Sequence, residues 1–499
     1  MSAGRLRRAL CGPVLALMPQ AASGQDLALA LGAPMAAPVL AVPAAQVPSA
    51  DEAWVPGILT FRGRPDRSGH ATGRLPRAPK VLWRVGPYCG LSSDQHGTRQ
   101  WCGTGWTGQP AIRPLGPGRA EVIFGAYDHA LHFLDSRNGE DLRRPFRTGD
   151  LIKGSVTLDP SGLPLLYSGS RDDFMRVLRL DEAEAVELYR INGNAPDGIW
   201  NNDWDSSALV LGDWMFQGGE NGWFHVVRLN RGRDAAGRVT VAPEMVNRIP
   251  GFTPALFAAV GDRMASIESS PMAMGGNVWF ANSAGLVQGY DIAALVAGLP
   301  RDEALVMEWR AGDDVDATLV GGPDGAIYVA IEDERPMNPD KQKAGHLARL
   351  DPARPADPLD WSIRFPGTWQ GDGGVWATPA LYRGHLHVPT HAGGLYTVEA
   401  ATGRITQTLP MPPHGWSSPV VVGEDLLLGT CEGDLIAFSL EDPARPREIW
   451  RFRPPGAGCW ESTPAVWEGV IHLGNRNGFF YAVGDAPAGA EAGFDALLQ

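Results

Sequence analysis

Long apolar runs, basic charge and cysteine are what this sequence has least of. After residue 24 no stretch reaches the roughly 18 consecutive apolar residues of a membrane-spanning helix, so no membrane span is expected. Lys and Arg number 43 against 56 Asp and Glu, a net charge of -13 that removes the basic face a nucleic-acid partner needs. No Gly-rich phosphate loop opens a helix, and no serine sits on a strand-to-helix elbow. With 62 Gly and 42 Pro the chain is broken too often for long helices and is suited to many tight turns.

The N-terminus reads as an export signal over residues 1–24. Arg5, Arg7 and Arg8 precede the apolar run Ala9 to Met18, and Ala21, Ala22, Ser23 and Gly24 supply small residues for cleavage. Cys11 follows Leu10 and comes too early to be a lipid-anchored cysteine. A soluble periplasmic or secreted protein, a monomer, is therefore expected. Residues 25–53 are Ala- and Pro-rich without period and read as a flexible leader. Order is expected from Trp54 to Asp485, with residues 486–499 as a disordered tail. Cys89, Cys102, Cys431 and Cys459 remain after cleavage, an even number that permits two disulfides.

A repeat fills the ordered span. Between Gly415 and Asp485 one unit occurs twice: Trp416-Ser417-Ser418-Pro419 with three short strands, then Trp460-Glu461-Ser462-Thr463-Pro464 with three more. Each run is rich in β-branched and aromatic residues and bounded by Gly, Asp or Pro. Four strands in about 44 residues is the period of a propeller blade. Eight such triplets begin near Gly108, Gly154, Ser206, Ser269, Ala317, Ala377, Ser417 and Ser462. Third strands end in a recurring acid or amide, Asp135, Asp181, Asn230, Asp291, Asp351, Glu399, Asp442 and Asp485. Seven triplets are followed by a fourth strand; the eighth is not. The lone strand Val81 to Val85 fills that gap and fastens the ring. The fold expected is all-β, an eight-bladed propeller of four-stranded antiparallel blades closed by an N-terminal strand. Insertions at 231–265 and 332–345 interrupt the period, and Thr253 to Val260 suits one short helix. Arg62 to Gly69 reads as a turn-rich approach to the first blade.

Ser-Ser-Pro or a variant opens the inner strand at Ser269-Ser270-Pro271, Ser417-Ser418-Pro419 and Ser462-Thr463-Pro464. Gly285-Leu286, Gly394-Leu395 and Gly478-Phe479 start third strands, and Trp-Arg recurs in outer strands at Trp83, Trp309 and Trp450. On these residues the repeat resembles the pyrroloquinoline-quinone-type propellers, over about residues 54 to 485; the Gly-His and Trp-Asp pattern of WD repeats is absent. The resemblance implies one of two functions. Quinoprotein dehydrogenases hold the quinone with calcium or a lanthanide in the axial funnel. Others, such as the outer-membrane assembly propeller lipoproteins, are binding scaffolds without cofactor. The methanol and ethanol dehydrogenases stack the quinone on a disulfide between adjacent cysteines, and this sequence has no Cys-Cys pair. Val398 to Gly403 is only a degenerate echo of the dehydrogenase repeat.

Chemistry is expected at the channel mouth. The residue before each inner strand reads, around the ring, Thr107, Lys153, Asp205, Glu268, Asp316, Trp376, Trp416 and Glu461, an acidic arc followed by an aromatic one. Trp106, Trp204 and Trp460 stand beside the same position. Two carboxylates about 10 Å apart repel by ~1.7 kcal/mol at an effective dielectric of about 20. The arc therefore calls for raised pKa values, a bound cation or relief by Lys153. A solvated mouth is the plain alternative for the acids, and inter-blade packing for the tryptophans. His385 and His387 alternate on one strand with His391 at the next turn, a set a metal ion would accept, although second-strand side chains usually pack between blades. Asn282, His391, Cys431 and Asn475 share one turn after the second strand, on the mouth face. Blades seven and eight are neighbours, so Cys431 with Cys459, and Cys89 with Cys102, are the shortest pairings. The reading is an exported binding or scaffold module without cofactor, its partner a protein or small ligand at the mouth; the alternative is a quinone- and calcium- or lanthanide-dependent alcohol or sugar dehydrogenase.

Overall fold

Short apolar runs between Gly and Asp turns cannot complete a stable helix but pair readily with neighbours of the same length. In the computed structural model, which describes residues 47–486 except 72, 95–96 and 106–107, they form eight four-stranded antiparallel sheets. Blade 1 consists of Ala111–Gly116, Arg119–Ala126, Ala130–Asp135 and Phe146–Arg147, and the blades follow in chain order around a propeller ring. Blade 8 takes Ala465–Trp467, Val470–Gly474 and Phe480–Asp485 from the far end of the chain and Pro79–Val85 as its outer strand. Pro79 pairs with Asp485 and Val85 with Phe480. The bulge in this pairing recurs between the third and fourth strands of blades 2 through 7, so the N-terminal strand is an ordinary outer strand in all but its origin. Asp485 adds a clasp by accepting the backbone N–H groups of Arg77 and Ala78, each at 2.8 Å.

Blades pack face to face on aromatic and branched residues. Phe124 of blade 1 lies 3.9 Å from Phe480 of blade 8, and Phe224 of blade 3 lies 4.2 Å from Phe280 of blade 4, both pairs stacked. Outer-strand tryptophans bridge to the next blade: the indole N–H of Trp83 donates to Ser136 O at 3.1 Å and that of Trp361 to Ala400 O at 3.2 Å. Gly139 and Gly403 make room for those rings; a Cβ at either would lie 2.7 or 2.8 Å from an indole carbon.

Every inner ladder begins three residues later than the triplet starts read from sequence, at Ala111, Thr157, Leu209, Met272, Val320, Ala380, Val420 and Ala465. The three preceding residues form a belt around the axis instead. Backbone N–H groups of Gln109, Ser207, Ser270, Thr318 and Thr378 donate to the hydroxyls of Ser155, Ser270, Thr318, Thr378 and Ser418 on the next blade, at 2.7 to 3.1 Å. Ser207 Oγ donates to Ser155 O, Ser417 Oγ to Ser462 O, and Thr463 N–H to Gly108 O, which completes the circuit.

Residues 58–71 are not an approach to the ring but its floor. Ile58 bridges to Ile112 of blade 1, Leu59 O accepts from Leu158 of blade 2, and Thr60 donates to Ala208 O of blade 3. Pro65 O and Asp66 O accept from Ala273 of blade 4 and Gly321 of blade 5. The Arg62 guanidinium donates to Pro379 O of blade 6 at 3.0 Å and Pro419 O of blade 7 at 2.6 Å, and Gln109 links Arg62 to Pro464 O of blade 8. Arg67 donates to Pro271 O at 2.9 Å and Phe61 O at 2.9 Å. The proline of each opening motif has no N–H to satisfy and leaves its carbonyl free to accept. Burial lowers Arg62 to about 10 and Arg67 to about 9 against the pull of Asp66, so both stay charged at neutral pH.

The insertions acquire structure of their own. Residues 231–265 hold a short hairpin, Gly232–Arg233 with Val239–Thr240, the outer strand of blade 3, Glu244–Pro250, and the helix Pro254–Val260 capped by Thr253. Residues 332–345 hold the helix Pro339–Ala344 capped by Asn338. A further hairpin, Cys89–Asp94 with Gly97–Cys102, precedes blade 1 and is closed by the Cys89–Cys102 disulfide. The second disulfide, Cys431–Cys459, joins the loops of blades 7 and 8. Val47 and Ala50 already pack against the core of blades 3 and 4. The expected signal, residues 25–46 of the expected leader and the tail from residue 487 lie outside the described residues. Among the described residues no helix is long and apolar enough to cross a membrane.

Two expectations follow from the floor and the closure. Arg67→Met should cost on the order of 3 kcal/mol in urea unfolding, since it strands buried carbonyls that accept from a charged donor. Deleting Pro79–Val85 should cost several kcal/mol of apolar burial and lower the melting temperature; melting at the intact value would show that this strand does not close the ring.

Candidate functional site

Residues just before the hydroxyl belt point their side chains into the mouth opposite the floor. A cavity of about 470 Å³ opens there, lined by Lys153, Glu268, Asp316, Trp416 and Glu461 from the ring and by Arg99, Gln100 and Trp101 from the disulfide-closed hairpin. A narrower space below, reached past Glu268 and Asp316, is walled by Asp205 and the belt hydroxyls and ends on Phe61. Trp106 and Thr107 lie outside the described residues.

The acidic arc is deeper than one carboxyl per blade. Asp205, Glu220 and Glu268 bring carboxylate oxygens within 4.8 Å of one another, and so do Asp314, Asp316 and Glu332. Lys153 pairs with Asp205 and lies 3.8 Å from Glu220, and Arg171 holds Asp203 at 2.7 Å. Burial opposes the charge of Lys153, but Asp205, Glu220, Glu268 and Asp203 outweigh it and hold the ammonium well above its usual range. Burial, then neighbouring carboxylates, push Glu220, Glu268, Asp316 and Glu332 well above the carboxylate range. Asp203 is pushed up to about 6 and Asp314 to about 8, in both cases first by burial. Among the described residues no cationic side chain forms an ion pair with Glu268, Asp314, Asp316 or Glu332. One oxygen each of Asp314 and Glu332 is buried without a hydrogen-bond donor among the described residues.

The cations of the cavity, by contrast, are matched. Arg99 pairs with Asp94 at 2.7 Å and Arg476 with Glu461 at 2.9 Å, while Lys153 and Arg171 are held as above. Arg99 also lies over Trp101 at 4.2 Å, and Arg476 lies between Trp101 and Tyr127 at 5.3 and 5.1 Å.

The aromatic arc is only partly at the mouth. Trp416 lines the cavity and stacks on Trp376 at 5.5 Å and 10°. His391 stacks on Trp376 at 4.4 Å and accepts from the Trp416 indole at 3.3 Å. Trp460 is 0 % exposed and packs on Tyr481 between blades 7 and 8, and Trp204 is buried against His225. Both belong to the core, because the residue preceding or following the mouth position in an extended segment faces the opposite way. The three histidines are not brought together: His387 is fully buried beside Thr397, His385 is at the strand's outer end, and His391 is in the aromatic arc. None of them belongs to a metal-sized grouping among the described residues. His391 and His414 are both lowered to about 4 by burial and are neutral at physiological pH.

Several site residues escaped the sequence reading although signals for them exist. Glu220 and Glu332 occupy, in blades 3 and 5, the turn where Asn282, His391 and Cys431 stand in blades 4, 6 and 7. Asp203 and Asp314 precede Asp205 and Asp316 by two, the spacing that keeps extended side chains on one face. Arg99 and Trp101 carry no such signal, since a hairpin outside the repeat delivers them.

The raised carboxyls set the sign of pH dependence. Asp314 titrates at about 8 in the fold against about 3.9 unfolded, so between those values the native state holds a proton the unfolded chain has lost. Stability therefore falls as pH rises through that window, and Glu268, Asp316 and Glu332 shift the same way. The raised Lys153 contributes stability that is complete below about 10.4 and lost only above it, so it adds no slope near neutrality. The urea midpoint should drop from pH 5 to pH 8, and Asp314→Asn with Glu332→Gln should flatten that drop. An unchanged slope would place the titrating groups elsewhere.

No family model matches the sequence, and no curated protein is similar to it. Solved structures share the fold. BamB from Moraxella catarrhalis superposes with a TM-score of 0.52 at 14% identity, covering 82% of this chain and 98% of its own. The computationally designed Ika8 protein gives 0.51 at 11% identity, over 76% of this chain and 98% of its own. The quinohemoprotein alcohol dehydrogenase from Comamonas testosteroni gives 0.57 at 11% identity, over 87% of this chain and 81% of its own. At such identities the likeness is one of fold: the chain is an eight-bladed propeller.

Proposed function

We propose that the protein is an extracytoplasmic binding module whose mouth takes a positively charged group of a small ligand or partner protein. The observation that carries this reading is the imbalance of pairing. Arg99, Lys153, Arg171 and Arg476 are each matched to a carboxylate, whereas Glu268 and Asp316, at the junction of the two spaces, have no cationic partner among the described residues. Buried carboxyls in that state hold protons or a cation. Trp101 and Trp416 add apolar lining to the same cavity. Two disulfides and the sequence of an export signal favour an oxidising compartment.

A quinoprotein oxidoreductase is the second reading, and the observation favouring it is the carboxyl set, whose hard oxygens on Asp205, Glu220 and Glu268, or on Asp314, Asp316 and Glu332, suit calcium or a lanthanide. The quinone itself fits poorly. It is a flat tricarboxylate, and the cavity's four cations are already neutralised, while Trp376 and Trp416 stack on each other rather than leaving a slot. Neither disulfide joins adjacent cysteines.

Thermal shift with calcium, lanthanum and spermidine tests the first reading. A cation bound at the mouth raises the melting temperature, by about 2.7 kcal/mol of stabilisation at a hundredfold excess over Kd. Glu268→Gln with Asp316→Asn should abolish the rise. A shift surviving the double change puts the cation elsewhere, and no shift with any probe leaves a solvated rim. Dye reduction on alcohols or sugars after incubation with the quinone and calcium would favour the second reading instead.

A further inference from the structure

The mouth face carries a second cluster, apart from the carboxyls, where blades 6, 7 and 8 meet. His414 lies in the loop after the outer strand of blade 6, Cys431 in the turn after the second strand of blade 7, and Cys459 in the loop before blade 8. One imidazole nitrogen and the two sulfurs lie within 4.8 Å of one another, and all three residues are half-buried. The His414 ring is fixed from two sides, stacked on Trp369 at 4.6 Å and edge-on to Trp416 at 4.3 Å. Its backbone N–H donates to His391 O at 2.8 Å in a left-handed conformation, φ 69°. Its Nε2 is buried with no hydrogen-bond partner among the described residues, where a buried ring nitrogen ordinarily has one.

We propose that reduction of the Cys431–Cys459 bond opens a site for one thiophilic d10 ion, of the zinc or cuprous class, held by the two thiolates and the His414 imidazole. Two thiolates with one imidazole are soft to borderline donors, which select such ions over calcium or magnesium. A dithiol reductant transfers two electrons and two protons to the disulfide and leaves as a disulfide itself, and the metal then displaces both thiol protons. Cys431 and Cys459 are half-buried rather than enclosed, which leaves the pair within reach of both reagents. The ion replaces the covalent link between blades 7 and 8 with a coordinate one and keeps His414 oriented. The site shares no ligand with the acidic arc, so it stands whether or not the mouth binds a cation.

Full-length protein, reduced with a dithiol and desalted without oxygen, is titrated with Co(II) as a spectroscopic probe and then with zinc. The expected result is one equivalent of Co(II) with a thiolate charge-transfer band, displaced by zinc and absent in the oxidised protein. Cys431→Ser should remove the band. His414→Gln should weaken binding more than about tenfold, since changes behind the ligands alone cost about 10–100-fold. A Cys89→Ser and Cys102→Ser variant should bind as the parent does, which separates this site from the other thiol pair. If reduction loosens the ring, zinc present during reduction should hold the melting temperature up. No bound equivalent in the reduced protein, equal affinity in His414→Gln, loss of binding in the Cys89/Cys102 variant, or no protection by zinc of a loosened ring would overturn the proposal.

Discussion

The ring is held by a circuit of hydrogen bonds no blade makes alone. Each blade offers the belt a backbone group and, at most positions, a hydroxyl or amide, and the partner lies on the neighbouring blade. That constraint explains the Ser-Ser-Pro opening better than strand formation does. The second residue supplies the lateral acceptor, and the third removes an N–H that would face the axis and presents a carbonyl to the floor. Arg62 and Arg67 then collect those carbonyls. Guanidinium groups are suited to this because several donors diverge from one planar head, so two side chains reach blades 4, 6 and 7.

A sealed floor changes what the mouth is. A channel open at both ends would keep its carboxyls hydrated; this one ends on Phe61, and its walls carry more acid than its bases neutralise. Burial and mutual repulsion then act together on Glu268, Asp316 and Glu332 and favour their protonated forms. The hairpin bearing Arg99 and Trp101 covers that side with side chains whose charges are already satisfied.

How much of this was legible depended on whether a residue sits inside the repeat. Blade number and the closing strand follow from periodicity, and the two disulfide pairings from the shortest spans between cysteines; the structure agrees with them. Asp205, Glu268, Asp316 and Lys153 hold one repeat position; the structure places Lys153, Glu268 and Asp316 around the mouth and Asp205 in the space below it. Trp460 was misplaced because neighbouring extended residues alternate faces, and a ring beside the mouth position is turned into the core. The floor was illegible for a different reason: arginines in a turn-rich segment look solvated until the carbonyls of Pro271, Pro379 and Pro419 and the amide of Gln109 are in place, and those four partners come from distant sequence.

The floor and the closing strand also impose an order on folding. Both lie within residues 58–85, yet their partners reach as far as Asp485, separated by more than 400 residues in the case of Arg77. A segment that precedes blade 1 in the chain is thus among the last to find its place. Until blades 6 and 7 exist Arg62 lacks its proline carbonyls, and until blade 8 exists the closing strand lacks its partner edge. Closure between such distant parts of the chain slows folding and leaves the incomplete ring open to edge-to-edge association.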